Sequence, residues 1–561
     1  MTRLVNIVIT SLCWIQLVRA IDVNAVFHNP NDILYVNPVA GQITLKTKRG
    51  SVIKADIVID SQSVNMEIIH QEEQFEYFVA NLNRFDTTLT YHFILRSAQD
   101  TIKFPVSGTF KAKAPLFETP RWASGKTYYT IFPDGFYNGN LTNDPLNKLT
   151  WGEKPENWRP YGGDLPGIRQ KIAYIDSLNP DIILLQPIFS ALSNHKLDPI
   201  DYMTLDPSFG DTLDLKTLID EVHKKDKRIV LNVTFTHTGN DFPVFTDIVN
   251  KGALSKYVDW YIIDEIPITT SPPNYECWRS DYRFPKLNLH NSEVINYLIS
   301  YLDYWKRFGF DGFYIGESKT IDADFVKIVR QHLKSKYPDI LLLGSGSLPV
   351  KGEGFDGCPN WALTDLIIKY FIQNTITTSE FDSSLRNLLF FNPPQSNCIN
   401  QITLSTNDRR ICHIAKGSIV KNLFAFIFTF CGSPVIVYGD EVGMSESARL
   451  NLGSFTWDTE AQNRELLNEI KELIKIRKTN PQISQKHFFT LYVNDINKVY
   501  AYDRGGLIVV LNSSDAQSFV RVPAWDGVYI DLLSGEKLIA DSQVLRLSID
   551  PKSYRILRRE T

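Results

Sequence analysis

Cysteine is scarce: there are six residues among 561, and their spacing fits no zinc-ligand pattern. An excess of one charge is missing too. Lysine and arginine number 59 against 63 aspartate and glutamate, and the net charge of −4 gives no electrostatic reason to expect nucleic acid or an anionic membrane as a partner. After the first twenty residues no apolar run is long enough to cross a bilayer. The sequence also lacks a glycine-rich phosphate cradle, a serine-triad signature and a cluster of metal-ligating side chains. What remains is ordinary globular composition, 43% hydrophobic and 22% charged, in a chain long enough for two or three domains.

Residues 1–20 combine Arg3, an apolar run from Leu4 to Val18 and the small-residue ending Val18-Arg19-Ala20. This reads as a signal peptide and predicts a secreted, extracellular protein, or a periplasmic one in a bacterium. Asn6, Thr10, Ser11 and Gln16 interrupt the run and argue against a retained membrane anchor. Cleavage removes Cys13; in an oxidising compartment Cys398 with Cys412 is the expected bridge and Cys277 with Cys358 a second, leaving Cys431 as a buried thiol. Of the sequons at Asn140, Asn232 and Asn512, the second falls on a buried strand, so Asn140 and Asn512 are the expected glycan acceptors.

Residues 21–115 alternate apolar and polar positions in short runs, such as Gln42 to Lys48 and Thr88 to Leu95, separated by turn signals. That predicts an N-terminal β-sandwich. A proline-rich linker, Ala114 to Pro120, leads into residues 120–480, where short apolar runs alternate with helical patterns. The runs Thr127 to Ile131, Ile182 to Leu185, Arg228 to Asn232, Gly312 to Ile315, Leu341 to Gly344, Gln401 to Leu404 and Val435 to Tyr438 read as parallel strands. The alternation predicts a (β/α)8 TIM barrel, whose functional groups lie at the carboxyl ends of its strands. The stretch 238–290 is too long for one loop and reads as an inserted subdomain. Residues 488–561 return to short strands and predict a C-terminal antiparallel β domain.

Several stretches then carry a family resemblance. Thr130-Ile-Phe-Pro-Asp-Gly-Phe-Tyr-Asn-Gly139, Gly162-Gly-Asp-Leu-Pro-Gly-Ile168, Asn194-His195 with Asp198 and Asp201-Tyr202, Asp206-Pro-Ser-Phe-Gly210, and Gly432-Ser-Pro-Val-Ile-Val-Tyr-Gly-Asp-Glu441 together resemble glycoside hydrolase family 13, the α-amylase family. The sandwich resembles the amino-terminal module of its neopullulanase and cyclomaltodextrinase branch. The resemblance implies retaining hydrolysis of α-1,4- or α-1,6-glucans by two carboxyl groups, an attacker ending strand four and an acid ending strand five.

At those positions this sequence has other residues. Gly309-Phe-Asp-Gly-Phe-Tyr-Ile-Gly-Glu-Ser318 places Gly316 where the attacking aspartate is expected and Tyr314 where its orienting arginine is expected. Leu342-Leu-Gly-Ser-Gly-Ser347 places Ser345 where the acid is expected. Leu404-Ser-Thr-Asn-Asp408 retains Asp408 but has Asn407 for histidine, and Leu231-Asn-Val-Thr-Phe-Thr-His237 retains His237 but has Asn232 for aspartate and Thr236 for asparagine. The expectation is a pseudoenzyme without an intact catalytic set, binding α-glucan, maltooligosaccharide or a protein partner through the cleft. Two alternatives stand beside it: an active glycosidase using Asp408 or Glu317, and a protein-interaction subunit whose cleft is unused.

By resemblance, substrate contacts fall to His195, Asp198, Tyr202, His237, Asn407, Asp408 and Tyr128. Aromatic platforms would come from Tyr128, Tyr161, Tyr202, Phe235, Trp278 or Trp361. No cofactor is required. Some family members bind calcium, and Asp134, Asn138, Asn140, Asn143 and Asp144 have the oxygen chemistry for it, as they have for a plain polar turn. Relatives with this amino-terminal module also dimerise, so a homodimer is a further expectation.

Overall fold

The computed structural model describes residues 21–560 apart from 31–34, 38–40, 84, 86, 113–118, 317–320, 346–353, 392–400, 407, 408, 449 and 486. The signal-peptide segment, Glu317, Asn407, Asp408 and Cys398 therefore lie outside the described residues. The chain divides into two compact units, Met1–Pro115 and Leu116–Thr561.

In the first unit, antiparallel strands follow one path: Val36–Asn37, Gln42–Lys48, Phe75–Asn81, Gln62–Gln71, Lys54–Ile59, Leu89–Arg96 and Thr101–Phe104. Alternation decides which face each strand buries. In Leu89–Arg96 the residues Tyr91, Phe93 and Leu95 are buried while their neighbours are partly exposed. Strands from both ends of the path contribute to one core, Leu45 and Phe78 from one side, Ile57 and Phe93 from the other. The sheet thus closes over itself as an immunoglobulin-like sandwich.

The second unit is built on a parallel sheet of seven strands. In barrel order the first five are Tyr128–Ile131, Ile182–Leu185, Arg228–Thr234, Gly312–Gly316 and Leu341–Gly344; the seventh and eighth are Gln401–Thr403 and Ser433–Val437. The first pairs with the eighth, which closes the ring. The sixth position is reduced to two parallel bridges, Leu343 with Gly357 and Pro359 with Gln401. Gly357-Cys358-Pro359 has no apolar run and a proline that cannot donate to a ladder, which is why the pattern reading found seven strands.

The expected helix from Leu213 to Lys225 is Thr212–Lys224, with Asp211 closing a capping box at its start. Ser292–Lys306 follows, capped by Asn291. The stretch 238–290 holds the helix Pro243–Lys251. Its remainder is joined by isolated antiparallel bridges such as His237 with Lys286 and Cys277 with Pro285. From Phe489 an eight-stranded antiparallel sheet closes the chain, ending at Ser553–Arg559.

Two covalent expectations change. Cys277 and Cys358 are not bridged; both carry thiols, as do Cys412 and Cys431, and burial pushes the Cys412 thiol up to about 12. Asn512 is fully buried and its amide nitrogen donates to the carbonyls of Ala516 and Asp550 at 2.8 and 2.9 Å. The folded protein has no room for a glycan there. Asn140 remains partly exposed.

Candidate functional site

Strand register fixes what the barrel interior contains. Asn232 stands opposite Tyr314 and Thr234 opposite Gly316, while Tyr314 stands opposite Leu343. The lower interior is apolar, with Tyr128, Ile182, Leu184, Val230, Leu341, Leu343 and Val435 in one cluster and Tyr314 against it. Tyr128, expected at the cleft, is therefore part of the floor. Toward the carboxyl ends the lining turns polar: Asn232 Nδ2 donates to Gln186 Oε1 at 2.9 Å, and Asn232 Oδ1 is buried without a partner.

Gly316 faces this amide. A Cβ there would lie 3.2 Å from Asn232 Oδ1, and the residue is not in the positive-φ region. The backbone conformation does not require a glycine at this place, and a side chain there needs the Asn232 amide to give by a few tenths of an ångström. Gly344, one strand over, contrasts with it: a Cβ there would lie 2.4 Å from the Phe355 ring. Ser345 continues the ladder, its N–H donating to Ile315 O at 3.0 Å and its carbonyl accepting from Trp361 Nε1 at 3.0 Å. Of the six expected platforms Trp361 alone is partly exposed; Tyr128, Tyr161, Tyr202, Phe235 and Trp278 are buried.

The loop after the second strand carries Ser193 to Asp198. Asp198 accepts from the Ser193 N–H at 3.0 Å and from its hydroxyl, so it braces the loop. Burial pushes its carboxyl up to about 6. The Leu197 N–H donates to His195 Nδ1 at 3.1 Å, which leaves the proton on Nε2, and that atom is buried without a partner. Burial, reinforced by Lys196, pushes His195 down to about 3 and keeps it neutral. Trp158 packs edge-on against its ring at 4.5 Å.

Tyr202 and His237 do not face the cleft as expected. Both are fully buried. The Tyr202 hydroxyl donates to His237 O at 2.6 Å, and His237 Nε2 donates to Leu197 O at 2.7 Å with its ring stacked on Trp278. They hold the second-strand and third-strand loops together. A small recess of about 20 Å³ gathers Phe132, Gln186, His195, Leu197, Leu450 and Leu452. Gln186 was missed from the sequence, yet alternation from Ile182 and Leu184 points it inward. Leu450 and Leu452 carried no comparable signal.

Chemically, the described ends of strands three to five offer an amide, a glycine and a serine. A serine hydroxyl cannot supply a proton near neutral pH, and a glycine cannot attack. Neutral donors and acceptors such as His195 Nε2–H and Asn232 Oδ1 suit uncharged hydroxyl groups.

Residues 130–341 match the family described as "Alpha amylase, catalytic domain" and residues 21–122 match "Alpha amylase, N-terminal ig-like domain". The "Cyclomaltodextrinase" of Geobacillus thermopakistaniensis is 33% identical over 88% of this chain and 90% of its own length. The chain belongs to the α-amylase family, in its cyclomaltodextrinase and neopullulanase branch. "Neopullulanase 2" of Thermoactinomyces vulgaris is 29% identical over 95% of this chain and 99% of its own. A solved structure titled "Cyclomaltodextrinase" superposes with a TM-score of 0.87 at 25% identity, covering 95% of this chain and 100% of that one.

The five oxygen-bearing residues considered for calcium do not converge as a set. Asp134 turns to the Tyr161 and Gly162 amides at 2.8 and 3.0 Å. Asn140 caps its own turn through the Thr142 N–H at 3.1 Å. Asn138 Nδ2 donates to Asp144 Oδ1 at 2.6 Å, and Asp144 also holds Lys148 Nζ at 2.8 Å. Asn138 Oδ1 and Asn143 Oδ1 are buried without partners. Both oxygens are of the chemical type a hard cation takes, and the Lys148 ammonium neutralises Asp144.

Proposed function

We propose that this chain is an α-amylase-family barrel that binds α-glucan or maltooligosaccharide without the family's retaining hydrolysis. One observation carries the reading: Gly316 faces Asn232 at a place where the backbone conformation does not require glycine, and Ser345 stands at the end of the next strand. With neither an attacker nor an acid at these positions the double-displacement route has no reagents. Trp361, beside Ser345, supplies a partly exposed ring, and Gln186, His195 and Asn232 supply neutral polar atoms for sugar hydroxyls. The apolar start of the chain supports secretion; among the described residues no helix is long and apolar enough to cross a membrane.

Calorimetric titration with maltooligosaccharides tests binding: heat that disappears in Gln186→Ala or Trp361→Ala supports the reading, and no heat at millimolar ligand overturns it. A second reading has the relatives in its favour, since those matched over most of this chain are named as enzymes. In it, hydrolysis runs through Asp408 or Glu317. Incubation with pullulan, starch and cyclodextrins separates the two, because product formation abolished by Asp408→Ala or Glu317→Ala belongs only to the second. Calcium bound by Asn138, Asn143 and Asp144 is a further proposal; it would raise Tm in the wild type and leave Asn143→Ala unchanged.

A further inference from the structure

A second pocket lies beside the cleft, bounded by the loops after the first and second strands. Its cavity is about 210 Å³, and its lining includes Asp134, Asn194, Lys196, Asp206, Ser208 and Leu192. It shares none of its lining with the cleft pocket. Trp158 forms one wall, its far side packed against His195.

Its polar atoms are unusually placed. Asp134 and Asn194 are 2% and 3% exposed, yet Asp134 Oδ2 and Asn194 Oδ1 have no hydrogen-bond partner. The other carboxylate oxygen of Asp134 holds the Tyr161 and Gly162 amides, so the side chain cannot swing away to satisfy itself elsewhere. A buried acceptor left without a donor costs about 1–3 kcal/mol, more when charged. The Asn194 amide is the side-chain donor nearest Asp134, and Asn194 Oδ1 itself is left without one. Lys196 Nζ stands in the same pocket, donating to Asp206 Oδ2 at 2.7 Å with further protons to offer.

That mixture decides the chemistry of the occupant. A bare cation would suit the two acceptors but would meet the Lys196 ammonium, and the space is larger than one ion needs. An anion would meet Asp134. A hydroxyl group donates and accepts at once, so neighbouring hydroxyls can donate to Asp134 Oδ2 and Asn194 Oδ1 and accept from Lys196. We propose that this pocket is an accessory binding site for a neutral, hydroxyl-rich ligand of one or two hexose units, separate from the barrel cleft. The inference goes beyond the cleft reading and does not depend on it.

The test is calorimetric titration of the full chain with maltose in the presence of a chelator, using three variants. Asp134→Asn keeps the size and the acceptor for Tyr161 and Gly162 but turns the pocket-facing acceptor into a donor. Leu192→Trp narrows the mouth at a residue 67% exposed, where folding tolerates change. Leu452→Trp fills the cleft instead. The proposal expects a class of binding weakened at least tenfold in Asp134→Asn and Leu192→Trp and retained in Leu452→Trp, with unfolding midpoints showing all three folded. Unchanged affinity in both pocket variants, loss of all binding in Leu452→Trp, or no heat from the wild type overturns it. So does a calcium-dependent rise in Tm that Asp134→Asn abolishes while maltose has no effect, because the occupant is then a cation. Loss confined to the accessory class leaves the cleft reading standing, and loss confined to the cleft leaves this one.

Discussion

Two arcs of the same barrel treat carboxylates in opposite ways. Around strands one, two and eight, buried acids are kept and each is tied into the fold: Asp164 caps the helix Leu165–Gln170 through the Gly167 N–H at 2.6 Å, Asp206 holds Lys196 at 2.7 Å, and Glu441 accepts from the Tyr129 and Tyr174 hydroxyls at 2.7 and 2.8 Å. Around strands three to five the described carboxyl ends carry Asn232, Gly316 and Ser345. A carboxylate that braces a loop is costly to lose, because its removal strands several buried donors. One that serves only chemistry can go without harm to the fold. The two arcs thus separate buried acids that brace loops from strand ends whose described residues are uncharged.

The largest expected effect comes from breaking a brace. Asp356, 1% exposed, accepts from Arg330, Lys334 and the Leu342 N–H, each at 2.8 Å. Asp356→Ala leaves two cations without it and should lower unfolding stability by about 3–5 kcal/mol, read from the denaturant midpoint. Asp356 lies beside strand five, away from the carboxyl ends of strands three to five, and an effect below 1 kcal/mol would mean that a buried, ion-paired carboxylate in this barrel is no brace.

Next is pH. Burial pushes Glu441 up to about 7 from an ordinary 4.5. The folded state then binds more protons than the unfolded state between those values, so this residue's contribution to stability is full below about 4.5 and is lost as pH rises through 7. Glu441→Gln should flatten that part of the profile by about 1–3 kcal/mol, measured as Tm against pH. His195 and His237, pushed down to about 3 by burial, act in the opposite sense, costing stability as pH falls below 6.5.

The smallest effects sharpen the comparison at two neighbouring glycines. Gly344→Ala drives a Cβ into the Phe355 ring and should cost about 1–3 kcal/mol. Gly316→Ala presses only on the end of the Asn232 side chain and should stay within about 0.5 kcal/mol of wild type. Equal costs at both positions would mean that Gly316 is a structural glycine after all.

The barrel was legible because buried parallel strands leave continuous apolar runs and amphipathic helices leave a different period. The sixth strand escaped because Gly357 and Pro359 pair only as bridges. In the site, the family motifs put Asn232, Gly316 and Ser345 on strands three, four and the end of five, and the ladder has them there; alternation along strand two would have found Gln186. Tyr202 and His237 were misplaced for the opposite reason: they sit where strand gives way to loop, and there the direction of a side chain is set by partners such as Leu197 O and Trp278 that no spacing rule reveals. Leu450 and Leu452 come from the loop after strand eight, far along the chain from the groups they meet.

The account rests most directly on whether sugar bonds are cleaved. Purified full-length protein held with cyclodextrins and maltooligosaccharides, with reducing ends counted over time, should release no more than buffer does while still binding the sugar. Turnover above buffer that disappears in Asp408→Ala would contradict the account and return this chain to the working enzymes of its family.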